Sequence, residues 1–490
     1  MTTKLSQKTL ATLPATVGRP AYDRAALTPG ILHFGVGNFH RAHQAVYLDE
    51  LFNRGEGHDW AIVGAGVFGG EKAGREKLAA QDWLTTVVEQ DEDGRSARVT
   101  GAMVDFIEPA DHAAIVRRLA DPAIRIVSLT ITEGGYFIDP ASGHFDPTHP
   151  DIVADAENPA APGTVFGLIL AGLVLRRSKG IAPFTVMSCD NIPHNGRVTA
   201  DGVVGLARLI DGDLAGWVEE NVAFPNAMVD RITPATSDRE RSILAEEFGV
   251  ADAWPVFCEP FRQWVLEDRF TDGRPALEKV GVQFVSDVSP YETMKIRILN
   301  GGHAAIAYPA GLMDIRFVHE AMQEPLVAAF LDKVEREEII PTVPPVPDTC
   351  LEDYYRMIVR RFANPEIGDT VRRLCLDGSN RQPKFIIPTI ADRLRAGQGI
   401  TGLALESALW CRYCFGITDS GAVIEPNDPN WDRMQATARK AKDDPAAWLA
   451  MEDIYGDVGR SAVFASAFSD ALRALWADGT RATLTRYLTS

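Results

Sequence analysis

Residues 30–55, GILHFGVGNFHRAHQAVYLDELFNRG, run an apolar strand-like stretch (Ile31–Phe34) through a glycine turn into a segment whose apolar residues Phe39, Ala42, Val46 and Phe52 recur at helical spacing. Strand, tight turn and helix in that order form the βα unit from which parallel sheets are built. Short apolar runs at Trp60–Val63, Ile126–Ile131 and Phe184–Ser188 repeat the unit, separated by amphipathic stretches. The pattern is that of a doubly wound α/β sheet. Leu84–Glu89 and Arg95–Met103 flank Asp-Glu-Asp-Gly and read as a hairpin inserted in it. After about residue 288 strand signals fade and helical periodicity dominates to the C-terminus. A chain of 490 residues exceeds what one hydrophobic core normally serves. The expected architecture is an N-terminal Rossmann-type doubly wound sheet domain over residues 1–288, followed by a mostly α-helical domain over 289–490.

The turn itself points to a dinucleotide. Gly35 permits the sharp bend, Gly37 lets backbone approach a diphosphate, and the following helix offers free N–H groups. His40 stands where the third glycine of GxGxxG belongs, so the strict pattern fails here. A full textual match, Gly64-Ala-Gly66-Val-Phe-Gly69, follows the second strand-like run, but the stretch behind it is more polar and carries Gly74. Residues 64–70 are therefore read as the loop after the second strand. Glu71 is then placed to accept from the adenosine ribose 2′-OH, which would favour NAD over NADP; its other reading is a solvated first-turn helix residue. The candidate cofactor-binding residues are Gly35, Gly37, Asn38, Phe39 and Glu71.

The chemistry is sought in YETMKIRILNGGH, residues 291–303. Ser289-Pro290-Tyr291-Glu292 supplies a capping Ser, a Pro at the first helical position and a Glu three residues after the cap, so a helix is expected from about Pro290. At about 100° per residue with Lys295 as origin, His303 falls at about 80° and Asn300 at about 140°, with Ile296 and Leu299 inside the same arc. Polar groups interleaved with residues that favour burial need partners or a task, since an unpaired one costs about 1–3 kcal/mol. A snorkelling Lys beside a capping Asn is the plain reading. The functional one assigns Lys295 as a general base, its ordinary pKa of about 10.4 lowered toward about 7–8 by apolar surroundings. Asn300 would hold a developing alkoxide together with Asn191, which closely follows the strand-like run Phe184–Ser188, and His303 would orient substrate or base. Tyr291 and Lys295 also spell YxxxK, the pair of short-chain dehydrogenases. That pair belongs within a single smaller domain, whereas here it opens the helical one.

Charge and cysteines narrow the partners. A formal net charge of −18 argues against a nucleic-acid partner. The longest apolar run, Val165–Leu175, is too short to span a bilayer, and the N-terminal stretch lacks a signal-peptide core, so a cytoplasmic protein without membrane contact is expected. The six cysteines show no disulfide spacing. Cys411-Arg-Tyr-Cys414 lacks a second ligand pair, and His40-Arg-Ala-His43 lacks a third ligand, so no metal site is expected.

GVGNFHRAHQ (35–44), SLTITEGGY (128–136), FTVMSCDNIPHNG (184–196), FPNAMVDRITP (224–234), CEPFRQWVLED (258–268) and KIRILNGGH (295–303) together resemble the polyol-specific long-chain dehydrogenases, over nearly the whole chain. The resemblance implies a zinc-independent, usually monomeric oxidoreductase that interconverts D-mannitol and D-fructose with NAD, with activity on D-arabinitol and D-sorbitol. It implies Lys295 as base, Asn191 and Asn300 as the oxyanion hole, and His303 as a positioning group. Glu133 would guard a proton route, and Asp230 and Arg373 would line the polyol site. Each of these three has a structural alternative: Glu133 bonding its own loop, Asp230 held by Arg231, and Arg372 rather than Arg373 facing substrate. Two departures from the family stand out. Gly69-Gly70 precedes Glu71 where mannitol-acting members carry two adjacent acids, and Arg381 replaces an expected Lys. A hexuronate (fructuronate or tagaturonate) reductase is the alternative within the fold, and a non-catalytic NAD-sensing protein the alternative outside enzymes.

Overall fold

A computed structural model describes residues 2–139 and 142–489. The chain divides into two compact units, Met1–Val288 and Ser289–Ser490. In the first, five strands form a wholly parallel sheet: β1 (Pro29–Phe34), β2 (Ala61–Ala65), β3 (Met103–Phe106), β4 (Ile126–Leu129) and β5 (Thr185–Ser188). Their order across the sheet is β3-β2-β1-β4-β5, the doubly wound order in which the chain reverses direction beside β1. β2, β4 and β5 are buried at every position, because both faces are covered. The period of two sorts their side chains between the faces. Leu32, Phe34, Val127, Leu129 and Val186 join one core, while Ile31, Ile126 and Met187 join the other.

The inserted hairpin is present, its strands Thr85–Asp91 and Gly94–Thr100 antiparallel in a second, four-stranded sheet, but its second strand stops short of the expected Met103, which opens β3 of the parallel sheet, a strand sequence reading did not separate from the hairpin. Among the helices packed on the parallel sheet, Val165–Ser178 starts at Thr164, whose hydroxyl accepts from the Gly167 N–H at 3.0 Å, a cap worth about 1 kcal/mol. The apolar run that sequence reading judged too short for a membrane is this buried helix. Among the described residues no helix is long and apolar enough to cross a membrane.

The expected single helix behind the glycine turn is broken. α1 (Asn38–Ala42) ends at His43, whose φ of −122° and ψ of −88° interrupt the helix, and α2 (Gln44–Asn53) restarts from it. The apolar residues on both sides of the break still turn inward, though to two places: Phe52 joins the core of Ile31 and Ile126 with Phe39 packed against it, while Ala42 and Val46 pack with Val87, Val256 and Cys258 of the four-stranded sheet. The strand before the second glycine motif is also longer than expected: Gly64 and Ala65 lie within β2, leaving a shorter loop before the 3₁₀ turn Gly69–Glu71.

The second unit is helical. Its central helix, Thr401–Cys414, is buried from Gly402 through Cys414 and packs against the C-terminal helix Ala462–Thr489, which kinks at Gly479. Cys411 and Cys414 lie in that core as free thiols.

Candidate active site

In the first unit the expected residues gather at the C-terminal ends of the strands. Gly35 follows β1 with φ +91°, and a Cβ placed there would lie 2.1 Å from the Thr130 carbonyl oxygen, so no side chain fits. Its own carbonyl accepts from the Gly37 N–H and from Thr130 Oγ1, both at 2.7 Å. Around the Gly37 Cα the nearest atom to an added Cβ is 3.8 Å away, which leaves backbone uncovered on that side. A half-buried, glycine-lined turn of this kind, open beside Gly37, fits a dinucleotide diphosphate. His40 replaces the third glycine without forcing helix and strand apart, because its ring lies flat on that of His33, with centroids 3.5 Å apart and planes 15° from parallel.

The side chains of Asn38 and Phe39 are engaged within the protein. Asn38 Nδ2 donates to the Pro234 carbonyl at 3.0 Å and its Oδ1 accepts from Arg41 at 2.8 Å, while Phe39 stacks on His43. Glu71, half-buried, turns its carboxylate back onto its own loop. One oxygen accepts from the Phe68 N–H at 3.4 Å and lies 2.7 Å from where a Gly66 Cβ would be; burial pushes the carboxyl up. Because Phe34 pairs with Ala65 in the sheet, this loop lies beside the Gly35 turn.

At the far side of the switch point, Asp190 joins two loops. Its carboxylate accepts from the N–H groups of Ile131 and Thr132 at 2.8 and 2.9 Å and from the Tyr136 hydroxyl at 2.7 Å; burial nonetheless pushes it up. The TEGGY loop after β4 is thereby tied to the CDN loop after β5. Glu133 and Asn191, both exposed, sit on these joined loops. Thr132 holds φ +63°, a strained conformation costing about 1–3 kcal/mol that the two-residue grip of Asp190 maintains. Asn195 extends the tie, donating to the carbonyls of Asp190 and Ala227 and accepting from the Ala227 N–H. Ala227 opens the strand Ala227–Asp230, which ends at the buried Asp230. Arg231 turns elsewhere, to Glu89 and to the carbonyls of Glu259 and Ala42. Sequence reading passed over Asp190 and Asn195, although both stand within the quoted CDNIPHNG stretch.

In the second unit Lys295, Asn300 and His303 share one continuous helical rod, but its middle is not α-helical. Ser289–Met294 is α, Lys295–Asn300 is π, and Gly301–Leu312 is α again. This corrects the 100° wheel. With i→i+5 bonding, Asn300 follows Lys295 by about one turn, so the two come closer to a common face than an α-helix allows. Lys295 is 7% exposed, and the Oδ1 of Asn300 is buried without a partner. The His303 ring stacks on Phe362 at 4.3 Å, which fixes its plane. Glu292, read in the sequence as a capping group, is buried three residues before Lys295, a spacing that puts it on the same face. The Tyr291 hydroxyl donates to the Pro347 carbonyl at 3.1 Å.

Arg373 and Arg372 have distinct partners. Arg373 grips the Asp369 carboxylate through Nε and Nη2, whereas Arg372 donates to the carbonyls of Glu425 and Pro426. Arg381, in place of the expected Lys, donates to the Leu374 carbonyl at 3.2 Å. Among the described residues no group of three or more His, Cys, Asp or Glu is arranged to hold a metal ion.

Comparison with known proteins gives matches over both units. Residues 29–279 match the model of the mannitol dehydrogenase Rossmann domain and residues 287–476 that of the mannitol dehydrogenase C-terminal domain. The mannitol 2-dehydrogenase of Cereibacter sphaeroides is 65% identical, over 96% of this chain and 99% of its own. That of Aspergillus fumigatus is 41% identical, covering 99% of both chains. The Pseudomonas fluorescens mannitol 2-dehydrogenase, solved as a ternary complex with NAD and D-mannitol, superimposes with a TM-score of 0.88 at 45% identity, covering all of both chains. A D-sorbitol dehydrogenase in substrate-free form gives a TM-score of 0.90 at 37% identity, over 98% of this chain and 100% of its own.

Proposed function

The chain belongs to the mannitol dehydrogenase family, and from that premise we propose that it is an NAD-dependent mannitol 2-dehydrogenase, interconverting D-mannitol and D-fructose without a metal. The observation that carries the chemistry is a buried lysine opening a π-helical segment that an asparagine closes. Removal from water disfavours an ammonium's charged form, the condition a lysine base requires. The π geometry favours a common direction for amine and amide.

In this reading Lys295 Nζ takes the proton from the substrate hydroxyl. The amides of Asn191 and Asn300 donate to the oxygen as charge develops on it, and His303, its plane held by Phe362, orients the substrate. Glu133 controls the passage of the proton from Lys295 toward solvent. Bound NAD would supply the hydride acceptor for the carbinol carbon. Gly35, Gly37 and the backbone of Asn38 and Phe39 would hold its diphosphate, and Glu71 would accept from the adenosine ribose 2′-OH. Asp230 and Arg373 line the polyol.

The pairing of Arg373 with Asp369 supports a neutral substrate, because the carboxylate offsets the charge that a hexuronate would seek. The same offset pair, with the likeness to a sorbitol enzyme, supports D-arabinitol and D-sorbitol as further substrates. Steady-state rates on mannitol, arabinitol, sorbitol, fructose and fructuronate with both cofactors test this. We expect turnover of the polyols and fructose with NAD; a strong preference for fructuronate, or NADH binding without turnover of any polyol, would replace the assignment.

A further inference from the structure

Beneath the glycine turn lies a chain of buried polar side chains that the proposed chemistry does not use. His33 Nδ1 lies 2.8 Å from Ser128 Oγ, which lies 3.1 Å from the Gln44 amide oxygen. On its other side, His33 Nε2 is 3.1 Å from the Gly35 carbonyl oxygen and 3.0 Å from Thr130 Oγ1. All of His33, His40, Gln44 and Ser128 are at most 2% exposed. His40 and Gln44 face one another, yet Gln44 Nε2 and both ring nitrogens of His40 stand without partners as the amide is oriented. Buried donors are rarely left so, since each costs about 1–3 kcal/mol.

A half-turn of the Gln44 amide provides a partner for Gln44 Nε2 and for one His40 ring nitrogen, and it exchanges atoms of nearly equal size. Gln44 Nε2 then donates to Ser128 Oγ, and its oxygen accepts from a His40 ring N–H. Ser128, now an acceptor from Gln44, donates to His33 Nδ1. That choice puts the His33 proton on Nε2, aimed at the Gly35 carbonyl. The donors run in one direction: His40 to Gln44 to Ser128 to His33 to the Gly35 oxygen. Each imidazole in the chain must be neutral, with one donor and one acceptor. Burial provides for this by pushing His33 down to about 3 and His40 well below its ordinary value.

We infer that His33, Ser128 and Gln44 are positioning residues for the cofactor turn, a buried hydrogen-bond relay that holds the Gly35 carbonyl so that the Gly35–Gly37 backbone stays open toward a dinucleotide diphosphate. His40 anchors its far end and, by stacking on His33, does the packing work of the missing third glycine. The inference rests on the cofactor reading above. Thr130 completes the grip by donating to the same carbonyl at 2.7 Å.

The full-length protein tests it through Ser128→Ala, Gln44→Met and His33→Phe, of which the first two remove hydrogen bonds with little change of volume. NADH affinity by fluorescence titration, KM for mannitol at saturating NAD, and the thermal midpoint are measured for each. Leaving a relay partner buried and unpaired should weaken NADH about 5-fold or more. KM for mannitol at saturating cofactor should stay within about twofold, a split that general loosening of the fold would not produce. If Ser128→Ala and Gln44→Met fold and bind NADH within about twofold of the parent, the relay does not position the turn. If the parent itself binds no NADH, the cofactor reading fails and takes the relay with it.

Discussion

A single nitrogen divides the competing chemistries. Lys295→Ala should lower kcat roughly 100- to 10,000-fold, the usual weight of a general base, with NADH affinity retained. Tyr291→Phe should leave kcat within a few-fold, because its hydroxyl is spent on the Pro347 carbonyl. Stopped-flow hydride transfer on both variants checks this, and the opposite result would move the base to Tyr291. At the adenosine end, Glu71→Gln should keep NAD turnover and raise kcat/KM for NADP about 10-fold or more by removing a charge that repels the 2′-phosphate. Unchanged cofactor preference would return Glu71 to capping its own loop. The burial of Lys295 and the bend at Gly35 were legible in the sequence because their surroundings are local: Lys295 among apolar neighbours, Gly35 directly after a strand. Asp190 and Asn195 were not, since the partners of the Asp190 carboxylate lie 54 to 59 residues away and Asn195 reaches 32 residues on to Ala227.

At the scale of elements, two devices shape the site. Asp190 ties the loops after β4 and β5, so Asp190→Ala should cost about 10- to 100-fold in kcat/KM, by displacing Glu133 and Asn191, with the secondary structure intact by circular dichroism. In the helical unit, burial pushes Glu406 up to about 8, with Gln382 donating to it at 2.6 Å as the weaker, opposing influence. The folded form therefore binds a proton that the unfolded chain has released above its ordinary value of 4.5. The associated stability is complete below that value and is lost as pH rises through about 8. Thermal midpoints of Glu406→Gln and the parent, compared from pH 5 to 9, should diverge with rising pH, the variant losing less. Parallel curves would show that Glu406 does not titrate in that range. The π segment was the element least visible beforehand. KIRILNGGH contains ordinary helix formers, and nothing in their spacing separates i→i+4 from i→i+5 bonding.

For the whole molecule, each unit carries its own architecture, a parallel sheet covered on both faces and a bundle around Thr401–Cys414. The proposed activity requires no second copy, and sedimentation equilibrium should return the monomer mass of 53.5 kDa. A stable dimer at assay concentrations would overturn that expectation. Fold class, four of the five parallel strands and the bend at Gly35 could be read from the chain because periodicity and turn chemistry are properties of adjacent residues. The relay under Gly35, the grip of Asp190 on Thr132 and the change of helical pitch between Lys295 and Asn300 arose from folding. Each depends on buried polar groups meeting partners distant in sequence, or on packing that overrides a helix's default bonding, and no local pattern encodes either.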